Sequence, residues 1–456
     1  MKMKKWVALV LAVVMVFGLT ACGNSKNAGG SDAKATDDVA QTTDAKETDD
    51  TVAGDTKASG KITIWAWDEA FNIVAANQAK EIYAKVNPGV EVEVVTMAQD
   101  DIVAKLNTSL TSGSTEGLPD VVLVEDYKIQ GYLTAYPDEF YDLTSIASPE
   151  DFATYKTGVN VVDGKLYGIP FDSGVAATFY RTDYIEQAGY TKEDMQNLTW
   201  EKYIEIGKAV KEKVGVDMCT LDPSDIGQIR MMLQSAGSWY TKADGSVDIA
   251  DNQALKDAIK IYKDLVEAGI TKQTADWDQF VGAFNSGEVA SVVTGCWIAP
   301  SIKNASDQSG KWAVAAFPKM SANSASVNAS SIGGAGWYVL KNVGNAETAA
   351  DFLKNTFASN ADLMNQLAED ITLVSTLNAA ADGSNYTKAN EFFGGQQIFS
   401  DFATWTANVP SVNYGLSTYA IEDIMTEAVQ AIVSNGADVD STLADFQVQI
   451  EAAVAQ

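Results

Sequence analysis

The sequence predicts an α/β protein whose chain passes between two lobes, and three observations support this. The stretch 61–124 alternates strand, helix, strand, helix and strand, which is typical of a mostly parallel sheet flanked by helices. The chain has 456 residues, 46% of them hydrophobic, which is enough for two or three domains. Residues 164–184 form two extended runs around Asp172-Ser173-Gly174, where a strand of one lobe could lead into a strand of the other.

The N-terminus has the pattern of a bacterial secretion signal. Three lysines in residues 2–5 precede an apolar stretch, 6–19, that is too short for a comfortable transmembrane helix. Residues 19–23 (LTACG) resemble a lipobox, in which Cys22 would become the first mature residue and carry lipid. The alternative is an ordinary secretory peptide, residues 1–22, with a chance cysteine.

A polar tether is predicted to follow the signal. Residues 23–60 contain no aromatic side chain and are rich in Gly, Ser, Thr, Asp and Ala. Such a segment cannot bury enough apolar surface to fold. We therefore expect a disordered acidic tether that holds a folded body away from the membrane.

Composition excludes several classes of function. The formal net charge of −29 argues against nucleic acid or an anionic membrane surface as a direct partner. The chain has no histidine, so mechanisms that need a Ser-His-Asp triad, a Cys-His pair or a zinc–histidine site are excluded. Its cysteines, Cys22, Cys219 and Cys296, show neither CxxC spacing nor a disulfide framework. No cofactor is expected.

The first elements of the folded body follow from apolar periodicity. Alternation predicts a strand at 61–67, and an apolar face predicts a helix from about residue 70 to residue 86, which Asn87-Pro88-Gly89 would stop. A strand at 90–96 and a helix at 99–111 follow. The apolar run 118–124 suits a strand that is buried on both faces.

The elements after the centre are mainly helical. Helices are predicted near 200–213, 223–235, 251–268, 276–285, 346–357, 360–368, 415–433 and 439–454, and strands at 288–294, 312–317 and 337–340.

The central stretch, residues 164–184, is open to two interpretations. Pro170 lacks a backbone donor, so a strand ends or lies at an edge there, and Gly174 relaxes the backbone just beyond. A crossover between lobes would place Asp172 in the gap between them. The alternative is an ordinary hairpin with an exposed aspartate. The small, polar residues 321–336 predict a loop and a second crossover.

Aromatic and acidic or amide residues recur after predicted strands, where ligands of open α/β sheets bind. Sugar rings stack on indole or phenol groups, and their hydroxyls donate to carboxylates and amides. The predicted ligand-binding residues are Trp67, Asp68, Glu125, Asp126, Asp172, Trp297, Gly334, Trp337, Trp405, Asn413 and Tyr414. Core packing is the alternative for each aromatic residue, and we assign Trp65, Trp200, Trp277 and Trp312 to packing.

The folded body resembles the extracellular solute-binding proteins of carbohydrate ABC transporters, the family that includes maltose-binding protein. The similarity covers 61–456. The segments that carry it are KITIWAWDEA (61–70), LPDVVLVEDY (118–127), GKLYGIPFDSGVAATFYRTDYI (164–185), TWEKYIEIGKAV (199–210), FNSGEVASVVTGCWIAP (284–300) and GGAGWYVLKN (333–342).

The resemblance implies a type II periplasmic-binding-protein fold, in which hinge strands join two discontinuous lobes around a ligand cleft. The N-lobe would comprise 61–172 and 332–377, and the C-lobe 173–331 and 378–456. Crossovers would lie near 172–174, 331–334 and 376–378. Family members commonly contact sugar at the positions of Asp68, Asp172 and Trp297, and often in a segment similar to 409–414.

The implied function is sugar capture rather than catalysis. The protein would be a lipid-anchored monomer on the outer face of the bacterial membrane, and it would deliver a sugar or oligosaccharide to ABC permease subunits. One alternative is a binding protein for another solute, such as a polyamine, a peptide or a metal. Others are a secreted glycosidase using Glu125, Asp126 and Asp172, and a surface adhesin without a transport role.

Overall fold

The computed structural model describes residues 60–454. The predicted signal peptide, Cys22 and the tether up to residue 59 lie outside the described residues. The helices within the described range are too short or too polar for any of them to cross a membrane.

The strands, in chain order, are β1 (Gly60–Ala66), β2 (Val90–Thr96), β3 (Val121–Glu125), β4 (Val161–Val162), β5 (Lys165–Leu166), β6 (Gly168–Pro170), β7 (Ala176–Arg181), β8 (Cys219–Leu221), β9 (Thr271–Gln273), β10 (Ser291–Gly295), β11 (Trp312–Ala316) and β12 (Ala335–Val339).

The α-helices are α1 (Asn72–Val86), α2 (Gln99–Ser112), α3 (Asp126–Ala135), α4 (Thr154–Asn160), α5 (Thr182–Ala188), α6 (Trp200–Lys213), α7 (Gly227–Ser235), α8 (Gln253–Glu267), α9 (Trp277–Asn285), α10 (Ala299–Lys303), α11 (Ala346–Asn355), α12 (Ala361–Ile371), α13 (Ile398–Thr406), α14 (Thr418–Asn435) and α15 (Val439–Val454).

The first sheet has the strand order β2-β1-β3-β12-β6. The strands β1, β2 and β3 are parallel, and β12 runs antiparallel to both β3 and β6. Residues 121–124 of β3 are buried, which agrees with its continuous apolar sequence. This sheet and its helices form one lobe.

The second sheet repeats the same arrangement with other strands. Its centre has the order β10-β7-β11, with β7 antiparallel to both neighbours. The parallel pair β8–β9 continues the sheet through a parallel bridge between Asp217 and Val289, next to β10. The order is therefore β9-β8-β10-β7-β11, which corresponds strand for strand to the first sheet.

Each sheet contains one antiparallel strand that arrives from the other lobe. The chain leaves β6 of the first sheet and enters β7 of the second, and it returns from β11 to β12. Asp172 bridges to Ser375 and Val175 bridges to Ser331, so the segments that pass between the sheets lie side by side. The crossover interpretation of the central stretch is confirmed, and the hairpin alternative is wrong, because β6 and β7 pair in different sheets.

Buried side chains form two hydrophobic clusters on opposite faces of the sheets. Alternate residues of a strand enter different clusters, as Phe179 and Tyr180 of β7 do. Each cluster includes strands from both sheets, so apolar packing continues across the crossovers.

The predicted helices after the centre agree with the structure to within a few residues, and α6 agrees at both ends. Its start is fixed because the Thr199 side chain accepts a hydrogen bond from the Lys202 backbone N–H. The short helices α3, α4, α5 and α10 and the nine-residue α13 were not predicted. In α4, the sequence TYKTGVN has poor helix propensity, so tertiary contacts must stabilise it.

Candidate functional site

A cavity of about 380 Å³ lies at the carboxyl ends of strands from both sheets. Thr220 and Leu221 lie in β8 and Asp222 directly follows it, Val293 and Thr294 lie near the end of β10, and Glu125 ends β3. The lining residues are Glu125, Thr220, Leu221, Asp222, Asp225, Gly227, Gln228, Arg230, Met231, Asp276, Trp277, Phe280, Val293, Thr294, Trp297, Ile332 and Gly333. The volume lies within the range of small-molecule pockets.

Three aromatic rings form one wall of the cavity. The rings of Trp277 and Trp297 lie 6.0 Å apart at 41°, and Trp277 stacks on Phe280 at 5.4 Å and 21°. Trp297 is fixed because its Nε1 donates to the Ile332 carbonyl, at 3.0 Å. Trp277 is 52% exposed. A large, exposed indole beside a second indole is a platform on which an apolar ligand face can stack.

The packing prediction for Trp277 is therefore wrong. Trp277 is the first residue of α9, directly after Asp276, whose side chain caps the helix by accepting from the Gln279 backbone N–H at 2.8 Å. This position turns the indole away from the core, where α9 buries only Ala283 and Phe284. The packing predictions for Trp65, Trp200 and Trp312 are confirmed, since all three are buried.

Three aspartates give the cavity an acidic rim. Asp222 accepts from the backbone and hydroxyl of Ser224, and Asp225 accepts from the Gly227 backbone at 2.7 Å. Asp276 caps α9. Within residues 60–454, none of the three forms a salt bridge. The rim therefore carries negative charge that no salt bridge within the described residues neutralises, although the charge of Arg230 acts on Asp225.

Glu125 contributes the first sheet's carboxylate to the cavity. It accepts hydrogen bonds from Gln99 Nε2 at 3.1 Å and from Tyr419 Oη at 2.5 Å, and it pairs with Lys128 at 3.2 Å. Because Tyr419 lies in α14 and Glu125 ends β3, this hydrogen-bond network joins a strand end of the first sheet to a helix near the C-terminus.

Arg230 is the only arginine among the lining residues, and it is 7% exposed. Its Nη1 donates to Glu422, which also accepts from Tyr240 Oη at 3.0 Å. The guanidinium lies 4.7 Å from the ring centre of Tyr127. Burial raises the pKa of Glu422, and the charge of Arg230 opposes that shift.

The chain is similar in sequence to known proteins over most of its length. A family model described as "Bacterial extracellular solute-binding protein" matches residues 78–394. The lactose-binding protein of Rhizobium radiobacter is 43% identical over 385 residues, which cover 84% of this chain and 91% of that protein. The chain belongs to the bacterial extracellular solute-binding proteins. The predicted resemblance is confirmed.

Solved structures agree on the fold of this solute-binding protein. The GacH receptor of Streptomyces glaucescens, solved unliganded and with acarbose, superposes with a TM-score of 0.71 at 20% identity, covering 88% of this chain and 99% of that one. The galacto-N-biose-/lacto-N-biose I-binding protein of Bifidobacterium longum gives a TM-score of 0.69 at 23% identity, covering 87% and 97%. The predicted type II two-lobed fold is confirmed.

Of the residues predicted to bind ligand, Glu125 and Trp297 line the cavity of the solute-binding protein. Asp126, Asp172 and Gly334 lie together at the crossover instead. Lys156 pairs with Asp126, and Asp172 Oδ1 accepts from the Ala335 backbone at 2.9 Å. Lys156 and both aspartates are buried.

Burial dominates the electrostatics of this crossover group. It raises the pKa of Asp126 to about 7, although the nearby charge of Lys156 acts in the opposite direction. Burial likewise raises the pKa of Asp172. The arrangement indicates a structural role at the point where the chain passes between the sheets.

Trp67 and Asp68 follow β1 but do not line the cavity. The Asn72 side chain accepts from both of their backbone N–H groups, at 3.0 Å each. Trp67 is half-buried and Asp68 is exposed.

The remaining predicted residues lie elsewhere. Trp337 is fully buried and stacks on Phe357 at 4.9 Å, and Trp405 is half-buried beside Phe402. Tyr414 is buried and accepts from Gln234 Nε2 at 2.9 Å. Asn413 lines a separate groove and donates to the Lys242 carbonyl. Ligand contact by these residues stays a prediction.

Sequence reasoning missed Arg230 and the three rim aspartates. Asp222 directly follows β8, and Asp276 follows β9 by three residues. The strand-end rule, that ligands of open α/β sheets bind beyond the carboxyl ends of strands, would therefore have found both. The strands themselves are only three residues long, and they were not predicted. Arg230 lies within α7, where the sequence gives no signal that its side chain lines a cavity.

Proposed function

We propose that this solute-binding protein is the carbohydrate-binding component of an ABC importer and holds a sugar or oligosaccharide in the cavity. One observation carries the proposal: the exposed Trp277 and the fixed Trp297 face a cavity rimmed by carboxylates. Aromatic rings stack on the C–H faces of sugars, and carboxylates accept hydrogen bonds from adjacent hydroxyls. The lactose-binding relative supports this ligand class.

Binding without catalysis is the accompanying proposal. A glycosidase needs two carboxylates placed across the scissile bond, one of them able to donate a proton. Of the carboxylates considered for that role, Asp126 and Asp172 are buried at the crossover, and only Glu125 lines the cavity. The family consists of binding proteins, which supports this proposal.

A cationic solute such as a polyamine is the second candidate. The specific observation in its favour is the acidic rim of Asp222, Asp225 and Asp276, which has no salt bridge within the described chain. The aromatic wall favours a sugar, but it could also hold a cation over its faces.

Sugar capture would couple to closure of the lobes. Glu125 comes from the first sheet and Trp277 from the second lobe, so a ligand that touches both favours the conformation in which they approach. We propose the boundaries 61–172 with 332–377 for one lobe and 173–331 with 378–456 for the other. The strand memberships of the two sheets support this division.

Anchoring and delivery complete the proposal. Lipid on Cys22 would hold the protein, as a monomer, on the outer face of the membrane, where permease subunits receive the sugar. The test is Cys22→Ser with cell fractionation: the variant should be released into the medium while wild type remains with the membrane. Equal retention of both forms would exclude lipid anchoring through this residue.

The ligand class is tested by a thermal-shift screen of the purified protein. The panel contains lactose, other mono- and oligosaccharides, polyamines and divalent metals. A ligand that binds the native state raises the melting temperature by mass action. We expect a rise with one saccharide series, whereas a rise with polyamines alone would replace the sugar by the second candidate.

A further inference from the structure

We propose that Arg230 determines ligand specificity by donating two hydrogen bonds, from its Nε and Nη2, to oxygens of a neutral sugar. This inference rests on the proposed function and deepens it, because it assigns a direct ligand contact to a residue of α7. The observations that carry it are the unused donors of this side chain, its fixed orientation and the charge around it.

The two arginines of the chain, Arg181 and Arg230, differ in how their donors are used. Arg181 Nε and Nη2 donate to Asp183 at 2.9 and 2.7 Å, and its Nη1 donates to Gln308 at 3.2 Å. Arg230 makes one side-chain hydrogen bond in the described chain, from Nη1 to Glu422. Its Nε is buried without a partner.

An unpaired donor on a buried arginine requires an explanation, since buried polar groups are almost always hydrogen-bonded. In a guanidinium group, Nε–H and one N–H of Nη2 point in the same direction and form a fork that fits two oxygens. Because Arg230 lines the cavity, a ligand atom can supply the partner that the described residues do not provide.

The guanidinium of Arg230 is held in place by its surroundings. It lies 4.7 Å from the ring centre of Tyr127 and 5.7 Å from that of Tyr419. Glu422 fixes the Nη1 end, and Tyr240 fixes Glu422 in turn. A donor that is ordered before binding loses little conformational entropy when the ligand arrives.

The charge around Arg230 selects the kind of oxygen it can bind. Glu422 already pairs with the guanidinium, and the rim adds the unpaired carboxylates of Asp222, Asp225 and Asp276. A ligand carboxylate or phosphate would be repelled by these groups. The partner is therefore a hydroxyl, ring or glycosidic oxygen, and sugars with an anionic group are excluded.

The experiment combines ligand and protein changes in one cycle. The ligands are the disaccharide that gives the largest shift in the screen, with lactose as the first choice, and the monodeoxy derivatives of that disaccharide. Calorimetry measures the Kd of each ligand for wild type, Arg230→Lys and Arg230→Met. In wild type, loss of the hydroxyl that meets Arg230 should weaken binding about tenfold or more, typical of a hydrogen bond to a charged group. In both variants the same loss should cost less than about threefold.

Arg181→Lys is the matched control, since Arg181 is also buried, stacked on a tyrosine and paired with an aspartate, but lies outside the cavity. For Arg181→Lys, the loss of affinity on removing each sugar hydroxyl should equal the loss measured for wild type. Arg230→Lys retains a cation beside Glu422, so a folded variant remains if the methionine variant unfolds.

Three outcomes separate the inference from the proposed function. If removing the hydroxyl weakens binding equally in wild type and in Arg230→Lys, the role of Arg230 is overturned while sugar binding is left intact. The same calorimetry is run on wild type with a uronic acid derivative of the disaccharide, and binding as tight as that of the neutral sugar would overturn the exclusion of anionic sugars. Failure of wild type to bind any saccharide would overturn the proposed function, and this inference with it.

Discussion

At the scale of the residue, burial and capping decide which of several similar side chains can meet a ligand. Trp277 and Trp337 both adjoin polar or small residues in the sequence. The structure exposes the first at the start of α9 and stacks the second on Phe357 inside the core. The same type of side chain is therefore exposed at a cavity in one place and packed in the core in the other.

Trp277→Ala should weaken sugar binding by about 2 kcal/mol, or about thirtyfold in Kd, as is typical for loss of an aromatic anchor. Its stability should change little, because half of the side chain is exposed. Calorimetry and urea unfolding measure the two effects. Tyr190→Ala is the control, since Tyr190 is a half-buried aromatic residue outside the cavity lining, and equal losses in the two variants would contradict the assigned wall.

Asp126 should make stability depend on pH. Burial raises its pKa to about 7 in the folded protein, whereas an unfolded aspartate has a pKa of about 3.9. The folded state holds the proton more tightly, so the stabilisation is complete below about pH 4 and is lost as the pH rises through about 7.

The measurement is the free energy of unfolding of wild type minus that of Asp126→Asn, from urea titrations between pH 4 and pH 8. We expect this difference to fall with rising pH and to level off above about pH 7. A difference that is constant across the range would show that Asp126 does not titrate there.

At the scale of the element, the crossovers determine how the lobes are joined. Gly334 has φ +93°, and a Cβ there would lie 2.7 Å from Lys156 Nζ and 3.0 Å from Asp126 Oδ2. Its carbonyl accepts from the Asp126 backbone N–H at 3.0 Å. The start of β12 is therefore built tightly against the buried ion pair.

Gly334→Ala should cost about 2–4 kcal/mol of unfolding free energy, because it combines backbone strain with displacement of a buried ion pair. Gly436→Ala is the control. It also has positive φ, +69°, at the end of α14, but no atom lies within 4 Å of its Cβ, so only the conformational cost of about 1 kcal/mol remains. Equal losses in urea unfolding would argue against the close packing at Gly334.

At the scale of the whole molecule, two sheets with the same strand order exchange one strand each, and the cavity lies where their strand ends meet. Contacts between the lobes are already extensive. The ring of Tyr127, from α3 of the first lobe, stacks on Trp239 at 5.6 Å and meets Tyr414 edge-on at 4.8 Å. The lobes can move about the crossovers only by adjusting such contacts.

Saturation with sugar should compact the molecule. A ligand that contacts Glu125 and Trp277 favours the closed arrangement, so the radius of gyration from small-angle X-ray scattering should decrease on titration. Trp277→Ala should show the same decrease at a sugar concentration about thirtyfold higher, in line with its lost affinity. An unchanged radius at saturation would mean that binding does not require closure.

Local sequence patterns are sufficient to predict the fold class and most of the elements. Apolar periodicity placed β1, β2, α6 and α15 within one or two residues, because each is long enough for its pattern to be unambiguous. At Asp172–Gly174 the local pattern left a crossover and a hairpin open, and the pairing of β6 and β7 in different sheets decided for the crossover. The three-residue strands β8 and β9 are too short to show an alternating pattern, and the seven-residue helix α4 makes only about two turns, so neither kind of element was recognised.

The meeting of particular strand-end residues in the cavity depends on tertiary packing. The strand-end rule gave Glu125 and Trp297, but it also gave Asp126 and Asp172, which the crossover buries with Lys156. Arg230 is more than a hundred residues from Glu125 in sequence, yet both line one cavity. Local patterns fix the period and the ends of an element, whereas the convergence of side chains depends on how separate elements pack, and that information is not local.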